Sequence, residues 1–159
     1  MTDNKQYIGK SVNAIVIRDG KVLLAWRESD GEYKLSLPGC PAVEGETPEE
    51  TVARGVRQET GLSVHPITLA GMHFGPDWCA AFNCELLGGK LTGEAEYVDV
   101  DEALRRRDVS ELTRLFLAGR ERALEKDAVY NMKNAGCSLY LLRFFQFLFL
   151  HIVTAIHLI

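Results

Sequence analysis

The sequence lacks an excess of positive charge: 18 lysine and arginine residues stand against 22 aspartate and glutamate residues, for a net charge of −4 at pH 7. Without a basic surface covering the whole chain, a general nucleic-acid-binding protein is excluded. An acidic protein that handles phosphates needs a metal ion or a local group of basic side chains. We therefore expect no nucleic-acid partner.

The cysteines lack the spacing of a zinc site or of a disulfide framework. The four present are Cys40, Cys79, Cys84 and Cys137, and no two of them form a CxxC pair. Cys79 and Cys84 lie five residues apart in a predicted strand, so their side chains are expected on opposite faces. The N-terminal residues MTDNKQYIGK also lack the apolar run of a signal peptide. These absences predict a protein of the reducing cytoplasm.

Acidic residues are missing from the C-terminal part of the chain, where none follows Asp127. After Lys133 the one fully ionised side chain is that of Arg143. The length of 159 residues, with 47% hydrophobic and 25% charged residues, fits one ordinary soluble domain. We therefore predict a mixed globular domain over residues 1–130 and an apolar tail over residues 131–159.

The tail is most apolar over residues 139–159, where 16 of 21 side chains are apolar. As a helix this segment would be about 32 Å long, enough to cross the hydrocarbon core of a membrane. Three interpretations stay open: a membrane anchor, a helix that packs on the domain or on a second copy in a homodimer, and sequence foreign to the domain. The fold prediction includes the segment as an apolar C-terminal helix.

Within residues 1–130, apolar runs alternate with turn and helix signals. Asp19-Gly20, between two β-branched runs, predicts a β-hairpin. Gly88-Gly89 predicts a later turn, and Ser110 is a suitable N-cap. A mixed sheet flanked by helices follows from this order. The predicted strands are residues 12–17, 22–26, 33–37, 63–74, 78–87 and 96–100, and the predicted helices are residues 48–60, 101–107 and one after Ser110.

The best-marked helix covers residues 48–60. Thr47 is a suitable N-cap, Glu50 completes a Thr-x-x-Glu capping box, and a proline occupies the first helical position. Gly61 supplies the left-handed residue that ends many helices. The residues before this helix, from Pro38 onwards, are rich in glycine and proline and are predicted as a loop.

The residues from this loop to the end of the helix, LPGCPAVEGETPEETVARGVRQETGL, carry acidic side chains at fixed intervals. Over residues 40–62 they resemble the Nudix box, the G-x5-E-x7-R-E-U-x-E-E-x-G-U signature of Nudix hydrolases, in which U is aliphatic. The early hairpin also fits the family. The matching positions are Leu37-Pro38-Gly39 before the box and Glu46, Arg54, Val56, Glu59, Gly61 and Leu62 within it.

The resemblance implies a fold, an activity and a cofactor. Nudix proteins have an α/β (α+β) fold in which a mixed sheet lies between helices. They cleave the diphosphate of nucleoside diphosphate derivatives, usually with magnesium, and manganese is the alternative ion. By resemblance, this protein is a pyrophosphohydrolase whose partner is a small-molecule nucleotide or nucleoside diphosphate derivative.

Three departures from the box weaken its metal site. Cys40 stands at the first glycine, Gly55 at the glutamate after the arginine, and Gln58 at the first glutamate of the closing pair. Positions 55, 58 and 59 share one helix face, where the family presents three carboxylates to metal ions. Here Glu59 alone is charged. One weakly bound ion is expected, held by Glu59, a loop carbonyl near Gly39 or Cys40, and the substrate.

The glycine at position 55 has two interpretations. It fits a position that has lost a metal ligand, and it fits equally a position of close packing. Because the lost ligand would be a carboxylate, restoring glutamate at positions 55 and 58 together is expected to raise metal affinity and turnover.

Further site residues follow from the resemblance. Arg54 would orient the acidic helix and the loop through an ion pair with Glu46, and Glu59 would be the principal metal ligand. Glu94 and Glu96 lie where the family brings a further acid to the metal, as ligands or as the base that activates water. The alternative for both is a solvated loop acid.

The candidates for substrate binding are the loop glycine Gly39 and two aromatic residues. Trp26 and Tyr33 suit stacking on a base or a ribose. The alternative is that they belong to the core, as aromatic residues on strands usually do.

Two functions from different classes are therefore open. The first is a metal-dependent Nudix-type hydrolase that is weak because Gly55 and Gln58 replace two glutamates. The second is a Nudix-fold module that binds a nucleotide without cleaving it. The intact Glu46, Arg54 and Glu59 favour the hydrolase, whereas the two replacements favour the binding module.

Overall fold

The protein is described by a computed structural model that covers residues 7–29, 31–74 and 78–134. Within these ranges four strands precede a first helix, three more strands follow it, and two further helices come last. The elements are β1 (Tyr7–Arg18), β2 (Lys21–Ser29), β3 (Glu32–Ser36), β4 (Gly39–Val43), α1 (Pro48–Thr60), β5 (Leu62–His73), β6 (Cys79–Gly89), β7 (Ala95–Asp99), α2 (Val100–Arg105) and α3 (Glu111–Asn134).

The strands form a mixed sheet with the central order β3-β2-β1-β6-β5. Strands β1 and β6 run parallel, with Ala14 opposite Phe82, and the other strand pairs are antiparallel. Strand β4 pairs with β1, and β7 pairs with β2. Strand β1 therefore pairs with three strands, and one of them, β4, is the strand that leads into α1.

Alternating side chains of β1 point into two separate hydrophobic cores. Val12 and Val16 pack in one core with Val56 of α1. Ile15 points to the opposite side and packs in the other core with Phe116 of α3. Period-two alternation places successive residues on opposite faces, so the sheet lies between α1 on one side and α2 with the start of α3 on the other. The predicted mixed sheet between helices is confirmed.

The local signals at the first turn and at α1 are also confirmed. Asp19 and Gly20 have φ of 51° and 76°, the left-handed pair that a two-residue hairpin requires. At α1, the Thr47 hydroxyl accepts from the Glu50 backbone N–H, and the Glu50 carboxylate accepts from the Thr47 N–H. Gly61 ends the helix with φ of 72°. Ser110 also precedes α3 and accepts from backbone N–H groups in its first turn.

Two predicted irregular segments are strand instead. Residues 39–43, predicted as a loop, form β4, because Gly39 pairs with Asn13 of β1. A Cβ at Gly39 would lie 2.1 Å from the Val12 carbonyl oxygen, so this glycine serves close strand packing. Gly88 and Gly89, predicted as a turn, end β6 and pair with β5. In both places pairing with a distant strand outweighs the local preference for a turn.

The three described cysteines are free. Cys79 lies in the core that contains Ile15, and Cys84 lies in the core that contains Val12, so the predicted opposite faces are confirmed. Burial raises the pKa of Cys84 to about 12, so this thiol is protonated at neutral pH.

The chain divides into two compact units, Met1–Arg120 and Glu121–Ile159. All residues of the candidate functional site lie in the first unit. In the part of the chain that the structure covers, no helix combines the length and the apolar character needed to cross a bilayer. The apolar segment 139–159 and Cys137 lie outside the described residues. The division at residue 130, the homodimer, the membrane contact and the cytoplasmic location therefore stay predictions.

Candidate functional site

An ion pair joins the start of the Nudix-like segment to the middle of α1. The Arg54 Nε donates to both carboxylate oxygens of Glu46, at 2.8 and 3.1 Å, and Nη2 donates to one of them at 2.8 Å. Nη2 also donates to the Pro41 carbonyl at 3.1 Å. Because the forked guanidinium binds a carboxylate through two nitrogens, the loop is held in one orientation on the helix. The expected ion pair between these residues is therefore present.

The Gln58 side chain belongs to the same group of contacts. Its amide oxygen accepts from Arg54 Nη1 at 3.3 Å, one helical turn away. Gln58 is exposed, whereas Glu59 is half-buried. The amide therefore supports the arginine at the helix surface.

Gly55 lies directly against the start of β4. A Cβ built at this position would lie 2.7 Å from both the Cys40 nitrogen and the Gly39 carbonyl carbon, and 2.8 Å from the Cys40 Sγ. Separations this short require the backbone of β4 to move. Of the two interpretations of the glycine, close packing is the one that the structure bears out. The expectation that glutamate at positions 55 and 58 raises metal affinity stays a prediction, and a side chain at position 55 would require the backbone of Gly39 and Cys40 to shift.

The Cys40 thiol takes part in this packing. It donates to the Thr51 carbonyl at 3.2 Å. Burial raises the pKa of Cys40, so the protonated thiol dominates at neutral pH and the thiolate that metals prefer is scarce. The side chain at position 40 therefore packs against α1, and the oxygen-donating group of this loop is the carbonyl of Gly39.

The Glu59 carboxylate lies at the centre of a group of oxygens that converge on one cation, the guanidinium of Arg27. Arg27 Nη2 donates to Glu59 Oε2 at 2.7 Å, to the Leu37 carbonyl at 3.1 Å and to the Gly39 carbonyl at 3.3 Å. The Gly39 N–H also donates to Glu59 Oε2, at 2.9 Å. The Arg27 and Glu59 side chains are 29% and 30% exposed. We call these three oxygens, from Leu37, Gly39 and Glu59, the oxygen cradle.

The oxygen cradle has the chemistry of a site for one hard cation. It offers one carboxylate and two carbonyl oxygens, and magnesium is often held by one or two carboxylates together with substrate phosphates. In this structure the point where the three oxygens converge is taken by the guanidinium nitrogen of Arg27. Among residues 7–29, 31–74 and 78–134, no three histidine, cysteine, aspartate or glutamate side chains form a group that could hold a metal ion. The residues fit a single ion and do not fit a cluster of several ions.

The structure does not bring Glu94 and Glu96 into a metal-binding group with Glu59 and Cys40. The Tyr33 hydroxyl donates to the Glu94 carboxylate, and this bond raises the pKa of Tyr33. Glu96 pairs with Leu24 in the ladder between β7 and β2. Antiparallel pairing of β7 with β2 places both acids beside the aromatic residues of β2 and β3. In the conformation described they form no metal-binding group with Glu59, and their role at the metal stays a prediction.

Trp26 and Tyr33 stack on each other, with ring centroids 5.6 Å apart and planes 9° apart. Tyr33 is 56% exposed, whereas Trp26 is half-buried and packs against the core that contains Ile15. The two rings, with Glu94 and Glu96, line an open hollow of about 460 Å³. An exposed aromatic face of this kind suits stacking on a flat ring.

A second cavity, of about 580 Å³, lies between the sheet and the start of α3. Its wall contains the basic side chains of Arg27 and Lys34, and also His73. The wall also contains the acidic residues Glu28 and Glu111, the polar residues Ser36 and Thr113, and apolar residues such as Phe116. Because Arg27 lines this cavity and also binds the oxygen cradle, it connects the two.

Sequence reasoning missed Arg27, although a signal was present. Leu23 packs with Val52 and Val56 of α1, and Arg27 lies four residues further along the same strand, on the same face. A charged side chain on a face that packs against a helix needs a partner of opposite charge. Glu59 is the partner that the structure provides.

Comparison with known proteins points to the same family as the Nudix-like segment. The family model of the NUDIX domain matches residues 8–118. The ADP-ribose pyrophosphatase of Methanocaldococcus jannaschii is 32% identical over 105 residues, which cover 57% of this chain and 62% of that protein. The match thus spans less than two thirds of the relative's length.

Solved structures share the fold. The MutT protein from Methanosarcina mazei Go1 is 26% identical with a TM-score of 0.59, and the match covers 76% of this chain and 96% of that one. A NUDIX hydrolase from Nitrosomonas europaea is 22% identical with a TM-score of 0.62, over 72% and 88% of the two chains. With the family model covering most of the chain, and with the capped helix, the Arg54–Glu46 ion pair and the mixed sheet in place, the chain belongs to the NUDIX domain family.

Proposed function

We propose that the protein is a Nudix-type hydrolase that cleaves the diphosphate of a nucleoside diphosphate derivative with one divalent ion, magnesium or manganese. The observation that carries this proposal is the convergence of the Leu37, Gly39 and Glu59 oxygens on a single cation position. Family membership supports a pyrophosphohydrolase, and the name of the Methanocaldococcus relative makes ADP-ribose the first substrate to test.

In this proposal Glu59 and the Gly39 carbonyl would hold the ion. When bound, the ion supplies charge that polarises a phosphate oxygen and activates a water molecule for attack at phosphorus. The protein itself holds in place the oxygen atoms that would bind the ion. Arg54 and Glu46 orient the loop on α1, and the Gly39 N–H holds Glu59 Oε2 through a hydrogen bond.

The substrate would be bound on the side of the larger cavity. Arg27 and Lys34 are the basic side chains of that cavity, which also contains the acidic Glu28 and Glu111, and they would contact the phosphates. Trp26 and Tyr33 form the proposed stacking surface for a base. Since Glu59 is the single carboxylate of the oxygen cradle, we expect weak binding of the ion and slow turnover.

A panel of nucleoside diphosphate derivatives, beginning with ADP-ribose, tests the proposal. With magnesium or manganese present, we expect a nucleoside monophosphate to be released. With EDTA in place of the metal, we expect no release. Liquid chromatography of the products measures both results, and product formation that is equally fast in EDTA would contradict the role of the ion.

A second function, nucleotide binding without cleavage, is favoured by one specific observation. The cation position of the oxygen cradle is filled by the protein's own Arg27. If the protein is a binding module, nucleotides from the same panel should bind with equal affinity in EDTA and in magnesium. They should also be recovered intact. The panel therefore separates the two functions.

A further inference from the structure

The guanidinium of Arg27 uses its hydrogen-bonding groups unequally. Nη2 alone makes the contacts with Leu37, Gly39 and Glu59. Arg27 Nε is buried and, within the part of the chain that the structure covers, has no hydrogen-bond partner. A buried donor without a partner costs free energy. Arg27 is therefore not fully satisfied in the oxygen cradle.

The same side chain forms part of the wall of the 580 Å³ cavity, with Lys34 nearby in that wall. Strand pairing fixes this arrangement, because Arg27 of β2 lies opposite Lys34 of β3. The same wall also carries the acidic residues Glu28 and Glu111, so the attraction for a phosphate comes from Arg27 itself, because a guanidinium binds phosphate oxygens through two nitrogens at once. A diphosphate in the cavity thus offers Arg27 an alternative partner to Glu59.

We propose that Arg27 is an exchangeable cation, which neutralises Glu59 in the free protein and is transferred to the phosphates of a bound nucleoside diphosphate. The transfer frees the oxygen cradle for a divalent ion, so that nucleotide binding promotes metal binding. This proposal rests on the proposed function for its ligands. It adds that one residue couples the two binding events.

The physical reason is competition for the same oxygens. A divalent ion and the guanidinium cannot both bind the Glu59, Gly39 and Leu37 oxygens at short range, because the two positive charges repel and the donors are shared. A diphosphate supplies negative charge to both cations. By thermodynamic linkage, a ligand that withdraws Arg27 from Glu59 raises metal affinity, and the metal raises nucleotide affinity by the same factor.

The first test is a titration with Mn²⁺ alone, followed by electron paramagnetic resonance of the free ion. Arg27→Gln should bind Mn²⁺ about tenfold more tightly than the wild type. Arg57→Gln is the matched control, because Arg57 is an exposed residue of α1 that donates to Ser63. It removes the same charge near Glu59, and we expect it to leave Mn²⁺ affinity within about twofold of the wild type.

The second test uses α,β-methylene ADP, a diphosphate that is not hydrolysed, in EDTA. Calorimetry should show binding to Arg27→Gln that is about tenfold weaker than to the wild type, because a charged phosphate contact is lost. Unchanged Mn²⁺ affinity in Arg27→Gln would overturn the proposal. The proposal would also be overturned if Arg57→Gln changed the affinities for Mn²⁺ and α,β-methylene ADP as much as Arg27→Gln does, since both changes would then reflect net charge alone.

If Arg27→Gln does not fold, the wild type still decides the question. The ¹⁵N resonances of the Arg27 side chain should shift when α,β-methylene ADP binds in EDTA, and binding without such a shift would overturn the proposal. All of these readouts are independent of turnover. An exchanging Arg27 in a protein that does not hydrolyse nucleotides would contradict the proposed hydrolase and leave the exchange intact.

Discussion

Glu59→Gln should lower kcat/KM for the diphosphate substrate by about 100-fold, the upper end of what the loss of a group around a metal costs. The substitution keeps the shape of the side chain and removes the one carboxylate of the oxygen cradle. A neutral amide oxygen is a poorer ligand for a hard divalent ion. Steady-state kinetics with ADP-ribose in magnesium and in manganese measures the effect.

Glu49→Gln is the matched control. Glu49 is an exposed residue in the first turn of the same helix, so this variant removes an equal charge away from the oxygen cradle. We expect its kcat/KM to stay within about twofold of the wild type, because exposed charges are screened by salt. If Glu59→Gln turned over substrate as fast as Glu49→Gln, Glu59 would have no part in the reaction.

Gly55→Ala should lower the free energy of unfolding by about 2 kcal/mol, although alanine is the better helix former. The added methyl group would lie 2.7 Å from the backbone of Gly39 and Cys40. Moving that backbone also disturbs β4, whose pairing with β1 places the Gly39 carbonyl in the oxygen cradle. Urea denaturation with an unchanged m-value measures the loss.

Gly119→Ala provides the opposite control within the same compact unit. Gly119 lies in α3, and a Cβ there would meet no atom within 4 Å. The usual preference of helices for alanine should then raise the free energy of unfolding by about 0.5–1 kcal/mol. A Gly55→Ala variant as stable as Gly119→Ala would show that the loop does not press on α1.

The local parts of this site could be predicted from the sequence. Capping of α1 by Thr47 and Gly61 depends on residues close in the chain, and so does the register that pairs Arg54 with Glu46. These features follow from helix geometry and from short-range hydrogen bonds, which a motif with fixed spacing records. For this reason the family and the fold class could be predicted before the structure.

The long-range parts could not be predicted. Arg27 is 32 residues from Glu59 along the chain, and their contact exists because Arg27 lies on the face of β2 against which α1 packs. Glu94 forms its bond to Tyr33 across 61 residues, by the pairing of β7 with β2. Such contacts depend on strand order and register, which no short pattern of residues determines. The order β3-β2-β1-β6-β5 supplied that information.

Crystals of the wild type soaked with Mn²⁺ and α,β-methylene ADP test the oxygen cradle most directly, through anomalous diffraction at the manganese edge. A manganese peak within bonding distance of Glu59 and the Gly39 carbonyl is predicted, with the Arg27 guanidinium on the phosphates. A bound nucleotide with no manganese peak there, and with Arg27 still paired to Glu59, would contradict a cation site at this position.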